Sequence, residues 1–499
     1  MNLYEQAKSQ HLAGEVKEAI ALYQRHLKDE PRSVETINML GNAFLDLGRV
    51  IDAIVQYDRA LDIDPTFADA HYNLGNTLCI MGKPDAAVGA YRRALNNQPE
   101  FFDALFNLGN AHLDLDQSEE AIEAYRSALA IDSENGATHF NLGKALRALN
   151  RHDEACDAFR RAMEIDPDQL RTCSELGQMM IQTGKPEEAL EYFTKASSID
   201  PDQPSEHFNI AMALFVLGRA EESEASFRRT LEIDPKSGRV YECLGRLLIQ
   251  VGRLPEAIEL IEKWIELEPE DPRAKHLKAA WTGRECPERA SDDFIRQEFD
   301  HLADSFDLTL RNLDYQAPGI VADVLNKARE QDATFNRIID VGCGTGLCGT
   351  LLKPMTRHLI GVDLSEQMLL MAKRTQDYDE LENAELTEFL AEKCDTFDAI
   401  VSSDTFNYFG DLAPVFIASW KALVPNGLLV FTAEYLAEPV EESPYHLMPS
   451  GRYSHTDEYL SGELSRAGFT LESSDQVILR TEGGEPVRGF VMLARKHQV

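Results

Sequence analysis

Between Asn336 and Met368 the chain sets glycines and two acids at spacings that suit a nucleotide-like ligand. Asn336-Arg337-Ile338-Ile339-Asp340-Val341 reads as a buried strand and runs into Gly342-Cys343-Gly344-Thr345-Gly346, with LCGTLLK expected as a helix. Glycines after a strand let the backbone approach a ligand, and a helix N-terminus offers free N–H groups. A dinucleotide fingerprint needs G-x-G-x-x-G, hence glycine at 347, where Leu347 stands; the pattern here is G-x-G-x-G. A second strand, His358–Asp363, ends in an acid, and a carboxylate there can accept both hydroxyls of a ribose. Leu364, Ser365 and Met368 follow on a helix start suited to flank an adenine.

The elements around this loop alternate strand and helix. Phe397–Ser402 reads as the fourth strand, residues 411–422 as a helix, and Leu423–Gly427 as the turn before a fifth strand, LLVFTAEY. Thr456–Arg466 is the next helix, stopped by Gly468. FTLESSDQVILR and PVRGFVMLARK flank Glu482-Gly483-Gly484-Glu485 and form a terminal hairpin.

D-V-G-C-G-T-G with G-V-D-L-S resembles motifs I and II of class I S-adenosylmethionine-dependent methyltransferases, over residues 291–499. The resemblance implies an α/β domain with a seven-stranded Rossmann-like sheet and a C-terminal hairpin. It implies S-adenosylmethionine as cofactor; separately, Cys343 and Cys348 lack metal-type C-x-x-C spacing, so no metal is expected. By the same resemblance, Gly342, Cys343, Gly344 and Gly346 pass beside its methionine and ribose portions. Asp340 orients the loop or meets the amino group, Asp363 takes the ribose, and Leu364 and Met368 flank the adenine. Glu385-Leu386 stand where the family often has an acid near the adenine amine, and Ser402 lines the site through its backbone. The N-P-P-Y of amide-methylating members is absent; Ser402-Ser403-Asp404-Thr405-Phe406-Asn407-Tyr408 stands instead, against DNA-base or glutamine methylation. Asp404, Tyr408, Glu434, His446, Tyr453 and His455 are expected at loops near the carboxyl ends of strands, where substrates bind in open α/β sheets. Asp404 and His455 are the first candidates for a catalytic base.

The N-terminal half repeats with a fixed period of about 34 residues. Gly41, Gly75, Gly109, Gly143, Gly177 and Gly245 form one column, with Ala7 and Ala211 at its other positions. Further along each unit stand Ala19, Ala53, Ala87, Ala121, Ala155, Ala189, Ser223 and Ala257. An aromatic column runs from Tyr23, Tyr57, Tyr91 and Tyr125 through Phe159, Phe193 and Phe227 to Ile261, and a proline column closes the units. Such a unit needs two short helices: small residues where backbones approach, an aromatic filling the gap, and proline opening the next turn. The pattern resembles the tetratricopeptide repeat family: eight repeats over residues 1–271 that stack into an all-α superhelix with a concave groove. Just before the glycine column stand Asn73, Asn107, Asn141 and Asn209. Their amides offer donor and acceptor together, as a peptide-backbone clamp requires; the superhelical repeat domain of the O-linked N-acetylglucosamine transferases is similar here. The alternative is hydrogen bonding along the helix itself. Asn42, Asn76 and Asn110 form a second column, which extends the peptide clamp or else caps loops or sits at the rim.

Residues 272–290 keep helix character without the repeat columns, as a capping helix and linker with Trp281 and Leu277 packed inward. Phe294, Phe299, Leu302, Phe306 and Leu310 then recur at helical spacing, as an amphipathic helix on the next domain or as a lid over its site.

The chain has 499 residues and a formal charge of −36, divided evenly: 30 basic and 48 acidic residues up to 283 (−18), 19 and 37 beyond (−18). No basic stretch suits a nucleic-acid backbone. The polar start, MNLYEQAKSQ, lacks a signal-peptide pattern, and no apolar run is long enough for a membrane span. With eight cysteines too sparse for a disulfide scaffold, a reduced cytoplasmic protein is expected. Three functions fit: a methyltransferase whose repeats recruit a protein or peptide, a small-molecule methyltransferase docked into a biosynthetic complex, or a scaffold whose second domain senses the cofactor. The whole chain looks like the bacterial group of methyltransferases that carry tetratricopeptide repeats.

Overall fold

The computed structural model describes residues 2–303, 306–329, 333–439 and 443–497. It divides into two compact units, Met1–Ile233 and Asp234–Val499.

The first unit is a run of antiparallel helix pairs, such as Ala68–Ile80 with Pro84–Asn97 and Phe102–Leu113 with Ser118–Ile131. The repeat columns find their cause in these pairs. An added Cβ on Gly41, Gly75 or Gly109 would sit 2.5 Å from Cε1 of Tyr57, Tyr91 or Tyr125, so each glycine exists to admit the ring of the helix that follows it. The turn inside each pair depends on a further column, which the sequence reading passed over. Gly14, Gly48, Gly82, Asp116, Asn150, Gly184 and Gly218 all have positive φ and end the first helix in the left-handed conformation. Only Gly, Asn or Asp adopts it cheaply.

Gly109→Ala is therefore expected to cost about 1–3 kcal/mol by overpacking. Gly89→Ala, on an outward helix face with nothing within 4 Å, should be neutral or stabilising by up to ~1 kcal/mol. Urea unfolding of the two variants separates these outcomes.

The second unit opens with three helices, Gly238–Gln250, Leu254–Leu267 and Pro272–Thr282. Ile261 holds the aromatic column's position here, but the ring over Gly245 comes from Trp281, on the capping helix. Helices Asp292–Leu302 and Phe306–Asn312 follow; Asp304 and Ser305, inside the aromatic-spaced segment, lie outside the described residues.

The sheet comprises β1 (Phe335–Val341), β2 (Thr356–Asp363), β3 (Glu380–Asn383), β4 (Phe397–Ser402), β5 (Leu423–Tyr435), β6 (Tyr445–Leu447), β7 (Tyr453–His455), β8 (Phe469–Glu482) and β9 (Glu485–Lys496). Strands β3-β2-β1-β4-β5 are parallel. The hairpin β8–β9 adds antiparallel to β5 through β9. The seven expected strands are all present, and the ribbon β6–β7 adds two more, β7 pairing with Glu434 and Tyr435 at the end of β5. The strands at the centre are continuously apolar because both sheet faces are covered: Ile339, Val341, Ile400 and Phe431 face one core, Ile338, Leu359, Val401 and Val430 the other. The helix expected after the glycine loop shrinks to one turn, Gly349–Leu352, before a 3-10 turn through Pro354. Strand order reverses about β1, which places a binding crevice at the carboxyl ends of β1 and β4.

Candidate functional site

The loop after β1 is held open by backbone geometry. Gly342, Gly344 and Gly346 all have positive φ. A Cβ on Gly344 would meet nothing nearer than Phe306 Cε1, 3.9 Å away, so the backbone there faces free space that a side chain would fill. The Gly342 and Cys343 amides donate to the Val362 carbonyl (2.8 and 3.1 Å), which ties the loop to β2. At the end of β2, Asp363 accepts from Gly344 N through one oxygen and Ser365 N through the other, both at 2.9 Å. A carboxylate has four lone-pair sites, so acceptor capacity remains for a ligand hydroxyl beside the Gly344, Leu364 and Ser365 backbone N–H groups. Burial raises the Asp363 carboxyl, and the three backbone donors oppose it. Leu364 stands beside it, half-buried, and Met368 is fully buried under the helix Glu366–Thr375.

Asp340, on β1, is buried; Tyr378 OH donates to its Oδ2 at 2.7 Å, while Oδ1 has no partner. Burial pushes this carboxyl up to about 7, against the Tyr378 hydrogen bond. An orphaned acceptor beside a glycine cradle is what a cationic amino group would satisfy.

A carboxyl raised in the folded state contributes stability below its unfolded value near pH 4, and loses it as pH rises through about 7. Asp340→Asn should therefore gain on the wild type by a few kcal/mol between pH 5 and pH 8, since each tenfold change in proton affinity is worth about 1.4 kcal/mol. Urea titrations of the ligand-free chain at the two pH values measure it.

Two residues the sequence placed at the adenine are otherwise engaged. Glu385 caps its own helix, Leu386–Ala391, accepting from Glu388 N at 2.8 Å and Thr387 Oγ1 at 3.0 Å. Leu386 is buried in the core. Ser402 is fully buried with an unpartnered Oγ. The Cys343 thiol is pushed up by burial and carries no nucleophilic character. From the preceding segment, Asp300 accepts from Ser365 Oγ (2.6 Å) and Asp307 from Thr345 Oγ1 (2.5 Å), so both helices of residues 292–312 rest on the loops after β1 and β2.

The candidate bases stand differently from expectation. His455 lies in β7, not a loop. It is completely buried, its Nε2 is 3.1 Å from the Gly410 carbonyl, and its ring stacks on Tyr459. Burial pushes the imidazole down to about 4, so it is a neutral packing group. Glu434, His446 and Tyr453 likewise lie in strands, Glu434 in β5, His446 in β6 and Tyr453 in β7. Asp404 follows β4 with φ 58°, in the left-handed region that Asp enters more cheaply than most side chains. Its carboxylate is not free: Arg480 Nη1 is 2.6 Å away, and Thr432 and Asn407 also donate to it.

Arg480 is the residue the sequence concealed. It is 3% exposed, on β8, and holds Asp404, Glu434 and Glu482 together. Arg452 adds Glu434 at 2.7 Å and Glu482 at 2.6 Å. Two guanidiniums and three carboxylates thus form one network at the carboxyl ends of β4 and β5.

In the first unit, the asparagines bridge repeats. Asn107 and Asn141 donate to Asn76 and Asn110 at 2.9 Å, and those accept also from Tyr91 and Tyr125 at 2.7 Å. Asn73 donates to Asn38 at 3.0 Å. The second column is therefore no cap but the acceptor that joins the aromatic and first asparagine columns. Asn209 is half-buried on the corresponding turn.

An α/β sheet with this glycine loop and terminal hairpin, preceded by a helical-repeat array, defines a two-module protein. Residues 339–429 match the methyltransferase domain model, and tetratricopeptide repeat models match 41–82, 81–136, 134–202, 180–243 and 214–280. The chain carries a methyltransferase domain behind tetratricopeptide repeats. The biotin biosynthesis bifunctional protein BioHC of Saccharophagus degradans is 32% identical over 102 residues, 19% of this chain and 18% of that protein. The malonyl-[acyl-carrier protein] O-methyltransferase of Bacillus cytotoxicus is 26% identical over 142 residues, 28% of this chain and 48% of that one. The chain thus spans less than half the length of either relative. The solved Pseudomonas aeruginosa pilF structure is 25% identical and covers 43% of this chain and 98% of its own, with a TM-score of 0.36. Among the described residues no helix is long and apolar enough to cross a membrane.

Proposed function

We propose that this chain is an S-adenosylmethionine-dependent methyltransferase whose repeats recruit a protein or peptide, acting in the cytoplasm. The cradle of Asp340, Gly342, Gly344 and Asp363 carries the reading: an orphaned buried carboxylate, an open glycine path and a strand-end acid with lone pairs to spare. Asp340 would hold the amino group, Asp363 the ribose, and Leu364 and Met368 the adenine side, with Cys343 and Gly346 shaping the loop. The bound cofactor supplies a methyl group activated by sulfonium. The chain's own work is alignment and exclusion of water. Asp404, held by Arg480 on the acceptor side, would orient an incoming nucleophile.

Tethering a substrate along the repeats raises its concentration at the site, and the −36 charge favours a basic or neutral partner. In Asn73 and Asn141 the Oδ1 atoms are the groups left to meet a peptide N–H, while Asn107 Oδ1 already accepts from Asn110 Nδ2 at 3.5 Å and has one lone pair to offer. Replacing all three by Ala should lower partner capture about tenfold or more while circular dichroism keeps its helical signal; unaltered capture would remove the asparagine clamp from the account.

A second reading, transfer to a small or carrier-bound oxygen acceptor, is supported by the O-methyltransferase among the similar proteins. Radiolabelled methyl transfer into cell extract, separated into macromolecular and small-molecule fractions, distinguishes the readings. Label in neither fraction would favour the cofactor-sensing scaffold.

A further inference from the structure

All the contacts used below lie within the unit Asp234–Val499. The loops around the strand ends fall into two sets. The cofactor set is 342–349 and 363–368. The acceptor set is 403–411, after β4, and 445–455, which holds the ribbon β6–β7.

The turn Pro449–Gly451 presents three successive carbonyls to the helices that precede the sheet. Trp281 Nε1 donates to Pro449 O at 3.0 Å, Arg246 Nη2 to Ser450 O at 3.3 Å, and His276 Nε2 lies 2.8 Å from Gly451 O. Arg452 comes next and enters the network of Glu434 and Glu482. The linker grips the other acceptor loop through its backbone. Ala290 N donates to Tyr408 O at 2.8 Å, and Gly410 N and Asp411 N donate to Glu288 O at 2.8 and 2.9 Å. Tyr453 OH closes the link on Pro287 O at 2.5 Å. Towards the cofactor side the linker offers Arg289, 4.0 Å from Glu385, at the limit of an ion pair.

We infer that the last repeat, its capping helix and the linker are positioning elements of the acceptor half of the site, while the cofactor loops rest instead on the helices Asp292–Leu302 and Phe306–Asn312. This rests on the methyltransferase reading for the names of the two halves. Trp281 and His276 are the positioning residues, and Arg452 is the group they place. Trp281 does double duty: its ring fills the space over Gly245 and its N–H fixes the turn. The acceptor loops thereby take their placement from the last repeat.

The test uses the full chain. Trp281→Phe with His276→Phe keeps an aromatic ring at each position, the second against Phe294, and removes both donors. Amide hydrogen exchange in 403–411 and 445–455 should accelerate about tenfold, the loss of two hydrogen bonds. Exchange in 342–349 and 363–368, and the calorimetric affinity for S-adenosylhomocysteine, should stay within about twofold. His276→Gln, which keeps an N–H donor, should hold the wild-type pattern. Should the double variant not fold, Arg246→Met is read instead, with faster exchange confined to 445–455. Equal acceleration in both sets of loops, or in neither, would overturn the inference. A wild-type chain that does not bind S-adenosylhomocysteine would overturn the methyltransferase reading, while the exchange pattern would still decide the coupling.

Discussion

Asp363→Ala is expected to weaken S-adenosylmethionine binding by about 100-fold or more, some 2.7 kcal/mol. The size follows from the double duty of this carboxylate. One oxygen holds Gly344 N and the other Ser365 N, so removing it frees the glycine loop and the start of the next helix together. The ribose would lose its acceptor and the methionine portion its cradle at once. Asp363→Asn keeps one acceptor oxygen and should retain part of the affinity. Isothermal calorimetry measures both variants; an affinity within threefold of wild type in the alanine variant would remove Asp363 from the site.

Arg480→Met is expected to destabilise the second unit by about 3–5 kcal/mol, because it leaves Asp404 buried without a cation and Glu434 with Arg452 alone. The pH dependence carries the diagnosis. In the wild type, burial raises Asp404 while Arg480 lowers it. Without the guanidinium the carboxyl rises further, so the folded variant binds protons more tightly than its unfolded chain. Its deficit should therefore shrink as pH falls towards 5 and be largest at pH 8. Arg480→Met combined with Asp404→Asn and Glu434→Gln should recover much of the loss. Urea unfolding at the two pH values reads all of these, and a deficit under about 1 kcal/mol at pH 8 would mean the network is solvated and carries little.

The contrast between these residues shows what a sequence discloses. Asp340, the glycines and Asp363 were legible because their relation is local: a strand, a tight turn and the end of the next strand. The repeat columns were legible for the same reason, since Gly41, Gly75, Gly109, Gly143 and Gly177 each meet a ring of the helix that follows. Arg480 was not. Its partners Asp404 and Glu434 lie 76 and 46 residues away and meet it only through sheet register, and in VILRTE an inward arginine looks like any outward one. His455 misled because GRYSHTDEYL reads as a polar loop; pairing of β7 with β5 and β6 enclosed it between Tyr445 and Tyr459. Trp281 was placed inward by composition, but its capture of the ring position left vacant by Ile261 needed the fold.

Methyl transfer by this chain is tested most directly with radiolabelled S-adenosylmethionine. Full-length protein incubated with cell extract should place label in the macromolecular fraction, and Asp363→Ala should abolish it. Absence of label from both the macromolecular and the small-molecule fractions, with wild-type protein that binds the cofactor, would contradict the account.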